Sequence, residues 1–218
     1  MVSQQNVYTD FWCNKSGSNK KRKIPMNEPT VENLTLGLIL YLLLPLWVIV
    51  GSLDYLCHRK SHIEHNDGLR ESLMHMGMGV LVGIPIWLGI FCEINVLVML
   101  VCFLCFILHE IVAHNDVVWA ASRREISIWE THLHNYLGTI PFYVLALVIC
   151  RNWAAFINTI TLKWSGEIYI QFRPEPLGSA NYVMTYAAFM IVVAILPYVE
   201  EVHRCWKYQN SEGKAERE

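Results

Sequence analysis

Eight of the nine histidines fall between positions 58 and 134: His58, His62, His65, His75, His109, His114, His132 and His134. Imidazole is a ligand for Zn, Cu, Fe and Ni. Carboxylates accompany these residues. Asp54 and His58 stand four apart, as do Glu71 and His75, Glu110 and His114, and the pair His58 and His62. Residues at that spacing share one face of a helix. A carboxylate so placed can bind a metal itself or hold a histidine tautomer from behind. His109 and His114 are five apart, so both reach one centre only by flanking it. His132 and His134 are two apart, about 160° from each other on a helix. That spacing suits an extended entry into a helix, or one ligand with the other behind it. One zinc needs three or four ligands. The histidines, with Asp54, Glu71, Glu110, Asp116 and Glu130, exceed that demand and fit two metals with outer partners. The competing readings are a neutral histidine–carboxylate hydrogen-bond network and a proton path.

The elements that must position these groups are long and apolar. Of 218 residues, 54% are hydrophobic and 17% charged, against about 25% charged in an ordinary soluble domain. Mean hydropathy is +0.30. Residues 34–53, 72–92 and 180–199 contain no Asp, Glu, Lys or Arg. Each is long enough to cross about 30 Å of hydrocarbon. The expected fold is therefore all-α and polytopic, with about five transmembrane helices near 34–56, 72–91, 94–119, 134–153 and 180–199. Pro45 is expected to kink the first. Trp87, Trp119, Trp129 and Trp153 fall near segment ends, as interfacial aromatics do. Residues 158–179 read as a short hairpin or an interfacial loop. A soluble globule and a secreted disulfide scaffold are excluded. The seven cysteines are odd in number, and Cys102 and Cys105 lie in an apolar helix as small core residues. A net charge of −2 gives no argument for nucleic acid.

Alternating passage through the membrane sorts the histidines. His58, His62 and His65 follow the first span, and His75 opens the second. His109 and His114 close the third, and His132 and His134 open the fourth. All eight are expected at one membrane face, and ionisable groups at membrane depth mark function.

The patterns His58-x3-His62-x2-His65, His109-x4-His114 and His132-x-His134 resemble the histidine boxes of integral-membrane non-haem diiron enzymes. These are the fatty-acid desaturases, fatty-acid or sterol hydroxylases and alkane hydroxylases. The resemblance covers residues 54–136, about one third of the chain, and is that of a divergent member without adjacent His-His pairs. It implies two non-haem Fe ions and O2-dependent hydroxylation or desaturation of a lipid or hydrocarbon chain. It also implies a cytosolic site and an external electron donor or reductase. No Gly-rich dinucleotide fingerprint, flavin motif or CxxCH is present to supply electrons from within.

On this reading the metal ligands are drawn from the eight clustered histidines, with Glu71 and Glu130 as candidate carboxylate ligands or catalytic groups. Asp54 and Asp116 are expected behind the ligands. Arg123 and Arg124 lie beside the site as anchoring charges, or as contacts for a phosphate, head group or acidic donor. His203 reads as a surface histidine. Two other functions compete. One is a zinc-dependent membrane hydrolase of an amide or ester lipid, with metal-activated water and a Glu base. The other is a haem-binding electron carrier pairing His75 with His109. The expected organisation is a polar basic tail over 1–30, a transmembrane domain over 31–203 and a polar tail over 204–218. Basic residues are nearly balanced between the two faces, so they do not fix orientation.

Overall fold

The computed structural model describes residues 30–66, 68–165 and 168–215. The basic run Lys20–Lys23 and the rest of the expected N-terminal tail before Thr30 lie outside the described residues. Val31–Glu218 is one compact unit.

Among the described residues five helices are long and apolar enough to cross a membrane, which makes the chain an all-α, multi-pass membrane protein. They are α1 (Val31–Ser61), α2 (Gly68–Phe91), α3 (Val96–Ala121), α4 (Ile128–Arg151) and, after the short α5 (Trp153–Ile160), α6. Helix α6 opens as Ala180–Met190, passes through a π turn at Ile191–Ile195 and continues as Leu196–Ala215. A second π turn, Ile39–Leu43, lies in α1 just before Pro45. Proline lacks an N–H and clashes with the preceding turn, so the wider turn relieves the ladder where the sequence predicts a kink.

Polar side chains set the helix starts. Asn95 accepts from Val98 N at 3.1 Å, Ser127 from Glu130 N at 3.2 Å and Ser179 from Tyr182 N at 3.2 Å, each satisfying a first-turn donor. The Ser127 cap starts α4 six residues before the expected position 134. His132 and His134 therefore both lie within the helix, and the extended entry does not form. At the other end of the chain α6 runs to Ala215, well past Val199, where its apolar stretch ends. Among the described residues of 158–179 there is no hairpin. Beyond α5 the chain is irregular and touches the α2–α3 corner through one bridge, Cys92 with Phe172. Arg173 Nε donates to Cys92 O at 2.8 Å there.

Helix α2 packs along α3 and α6, and α1 lies against α4 and α6. One half of the bundle is a dry core in which Leu40, Leu44 and Val48 of α1 meet Ile86 and Ile90 of α2 and Val183, Tyr186 and Met190 of α6. The other half is polar, and the antiparallel order brings together the end of α1, the start of α2, the end of α3 and the start of α4.

The α1–α2 corner is tight. Helix α1 ends at His62, which adopts a left-handed conformation (φ 50°) with its N–H on His58 O. Gly68 then opens α2 so close to Ile63 that a Cβ would lie 2.5 Å from its carbonyl oxygen. Gly68→Ala is expected to destabilise the protein by about 1–3 kcal/mol, the usual cost of overpacking against backbone. A lowered thermal midpoint in detergent checks this.

Candidate metal centre

Three acid–histidine pairs at the four-residue spacing point inward from three helices: Asp54 and His58 from α1, Glu71 and His75 from α2, Glu130 and His134 from α4. Helix α3 adds Asp116 and α6 adds Glu201. Asp54, His58, Glu71, Asp116, Glu130 and Glu201 are all at most 2% exposed, and His75 is 4%. Five helices thus contribute to one buried polar cluster. The rings of His58 and His75 stack at 4.7 Å, with His134 edge-on to both at 6.2 and 5.8 Å.

Outer carboxylates orient two of the imidazoles. His75 Nε2 lies 3.0 Å from Asp116 Oδ2, and His58 Nδ1 lies 3.2 Å from Glu201 Oε2. An ionised carboxylate only accepts, so each facing nitrogen carries the proton. In the neutral form of each ring the opposite nitrogens, His75 Nδ1 and His58 Nε2, offer lone pairs to the cluster. Both lack a hydrogen-bond partner, as do both Asp54 oxygens, His134 Nε2, Asp116 Oδ1 and Glu201 Oε1. They approach one another without hydrogen-bond geometry: His134 Nε2 is 3.2 Å from Asp54 Oδ1, and His75 Nδ1 is 3.9 Å from Glu201 Oε1.

Two overlapping donor groups result. One ligand atom from each of Asp54, His58, His75 and His134 lies within 4.8 Å of the others. The same holds for His58, Glu71 and Glu130. His58 Nε2 is 3.6 Å from Glu71 Oε1 and 3.5 Å from Glu130 Oε1. A neutral imidazole has one free lone pair. If both groups held an ion, His58 could therefore serve only one of them, and Asp54, His75 and His134 would remain for the other.

The residues fit a metal on chemical grounds. Unpaired buried lone pairs are costly, and buried charge must be compensated. Five carboxylates (Asp54, Glu71, Asp116, Glu130 and Glu201) face three imidazoles and one guanidinium, Arg124. With neutral imidazoles four negative charges remain while Arg124 is in place and five if it leaves, an excess that two divalent cations would largely cancel.

Arg124 enters from the loop between α3 and α4. Its Nη2 donates to Glu71 Oε1 at 2.6 Å and to Glu130 Oε1, and its Nη1 donates to Glu130 Oε2 at 3.0 Å. Burial opposes its charge, but the bonds to Glu130 and Glu71 outweigh that and hold its pKa above the ordinary arginine value. The loop is flanked by Trp119, whose ring is covered by Arg70 at 4.1 Å and Arg123 at 4.3 Å.

The remaining sequence candidates stand outside the cluster. His62 and His65 are 71% and 56% exposed on the corner after α1, beside Glu64. The left-handed turn at His62 directs that side chain away from the face of His58. Glu64 is pushed up by burial, but hydrogen bonds from its own backbone, His62 and Arg204 bring its pKa below the ordinary carboxylate range. His114 and His132 are exposed. His132 is two residues from His134 on a regular helix, hence on the far side. His109 is buried but lies about 18 Å along α3 from its end, by the helical rise. It contacts Glu110 at 3.2 Å and lines a separate cavity of ≈ 230 Å³ with Cys102, Cys105 and Pro141. It is not in the last turns of its span, and His75 turns to Asp116 rather than towards it.

Sequence reasoning missed two things. One is Glu201, which lies just beyond Val199, where the apolar stretch of the last span ends. Its signal was present in the Glu200–Glu201 pair one turn after Pro197, if the helix is continued. The Glu130–His134 spacing repeats that of the other two pairs, but only a helix that begins at Ile128 puts both residues on one face.

A second, larger cavity of ≈ 660 Å³ approaches the cluster from the apolar half. Gly51, Met76, Leu137 and Tyr198 form its inner end, and the exposed residues Val80, Ile84 and Ile195 flank its lateral opening. Tyr198 donates to Gly51 O at 2.8 Å and sets its ring 5.9 Å from His75. The ring is thus the wall between apolar cavity and polar cluster. Comparison with known proteins returned no matching family model, no matching curated protein and no matching solved structure.

Proposed function

We propose that the protein is a membrane-embedded dinuclear non-haem iron oxidoreductase that uses O2 to hydroxylate or desaturate a lipid or hydrocarbon chain. The observation that carries this reading is the set of buried, unpartnered carboxylate and imidazole lone pairs from five helices, in number and charge enough for two divalent ions. Helix bundles build carboxylate–histidine metal centres in this way, from side chains on facing helices. The donors are oxygen and imidazole nitrogen, a set that suits iron. Two bound irons would supply O2 activation and oxidation of an unactivated C–H bond, which side chains alone do not reach.

The chain's own residues would do the rest. Asp54, His58, Glu71, His75, Glu130 and His134 would hold the ions, and Asp116 and Glu201 would fix the tautomers of His75 and His58. The cavity behind Tyr198 offers an apolar, water-poor approach for an alkyl chain from the bilayer. Electrons would come from an external reductase at the polar face, which we assign to the cytosol.

Elemental analysis and an optical spectrum of detergent-purified protein test the reading. About two irons per chain without a Soret band are expected, followed by O2 uptake with a reductase and lipid. A Soret band or the absence of any bound metal would overturn it. A zinc-dependent lipid hydrolase is the second reading. It is favoured by Asp54, His75 and His134, which alone make a three-ligand set with room for water. One zinc per chain and lipid cleavage without O2 would select it.

A further inference from the structure

The two donor groups are not equivalent. No side-chain donor satisfies Asp54 Oδ1 and Oδ2, His75 Nδ1 or His134 Nε2. In the other group, the carboxylate oxygens that face His58 Nε2, Glu71 Oε1 and Glu130 Oε1, are the same two atoms to which Arg124 Nη2 donates. A cation coordinated by His58 Nε2 and these two oxygens must sit beside a guanidinium already on them. Like charges at such a distance repel strongly in a buried setting.

Arg124 is placed so that it can yield. It belongs to the loop between α3 and α4, outside any helix. Its Nε has no hydrogen-bond partner, so the guanidinium is held from the carboxylate side only.

Resting on the reading that this cluster binds metal, we propose that Arg124 is a built-in counter-ion for the second metal position. Its guanidinium stands in for a cation between Glu71 and Glu130, so the two positions fill in order. Asp54, His75 and His134 take the first ion. The second enters at His58, Glu71 and Glu130 only as Arg124 withdraws. The device offsets one of the two buried carboxylate charges before loading and makes occupancy of the second position the adjustable step.

Equilibrium titration of the full-length protein in detergent with Mn(II) tests this, with free Mn(II) read by electron paramagnetic resonance. The wild type is expected to bind one ion tightly and a second at least tenfold more weakly. Arg124→Gln removes the competing charge and is expected to tighten the second ion by tenfold or more while leaving the first unchanged. Arg124→Lys keeps a charge without the two-pronged grip. It should fold where the glutamine variant does not, and its second affinity should fall between the two. Equal affinities in the wild type, or no gain at the second position in either variant, would overturn the proposal and leave the metal reading intact. A wild type that binds no Mn(II), Fe(II) or Zn(II) would overturn both.

Discussion

If the cluster holds two irons as proposed, replacing His58 by glutamine is expected to bring bound iron from about two per chain to one or none and to abolish O2-dependent turnover. The same substitution at His62 is expected to change neither. The two histidines are four residues apart and equal in the sequence pattern, so the contrast isolates geometry from motif. His58 is fully buried, with Nε2 3.7 Å from Asp54, 3.6 Å from Glu71 and 3.5 Å from Glu130. Among the described residues, His58 is the one imidazole that belongs to both donor groups. His62 is 71% exposed past the left-handed end of α1. Outer partners of metal ligands are worth about 10–100-fold in metal affinity, and a ligand itself should cost more. Glutamine is used because alanine would leave Glu201 and the inner carboxylates unpaired, and breaking a buried pair costs about 3–5 kcal/mol. Elemental analysis beside a thermal melt separates loss of metal from loss of fold. Normal iron in His58→Gln, or loss of iron in His62→Gln, would remove the centre described here.

The fold was legible because a membrane demands long apolar helices, and nothing subtler is needed to count five of them. What failed was the ends. Composition marks where hydrocarbon stops, not where a helix does. Ser127 begins α4 in a polar stretch, and α6 continues beyond its apolar part for four more turns. Both errors fell on the site, because the polar ends of the helices are what build it. Starting α4 at Ile128 turns His132 outward and His134 inward. Ending α6 at Val199 hides Glu201. The four-residue acid–histidine spacing was the sounder signal, since it follows the helix period. Counting histidines was weaker. Imidazole is as comfortable at a membrane interface as in a metal site, and His62, His65, His114 and His132 are all exposed. The position of Asp54 was not legible either. Spacing puts it on the face of His58, but only packing shows that both its oxygens turn into the cluster.

Asp116→Asn carries the other large expectation: metal affinity should fall about 10–100-fold with the helices intact. Asp116 sits 3.0 Å from His75 Nε2 and, as an acceptor, forces the proton onto that nitrogen. The Nδ1 lone pair is thereby directed at the cluster. Asparagine has nearly the same shape but can present its amide N–H to the ring. His75 can then move its proton to Nδ1, which takes the lone pair away from the metal. Glu201→Gln makes the same exchange at His58 Nδ1 and should act in the same direction, since Glu201 Oε2 lies 3.2 Å away. Glu110→Gln is the matched control. Glu110 contacts His109 Nδ1 at a similar 3.2 Å, but that histidine lines the other cavity and faces no donor group. Competition against a chelator of known affinity reads all three. A loss in the first two variants with none in the third ties the effect to tautomers held at the centre. Equal losses in all three would mean that carboxylates beside buried histidines matter to the bundle and not to a metal.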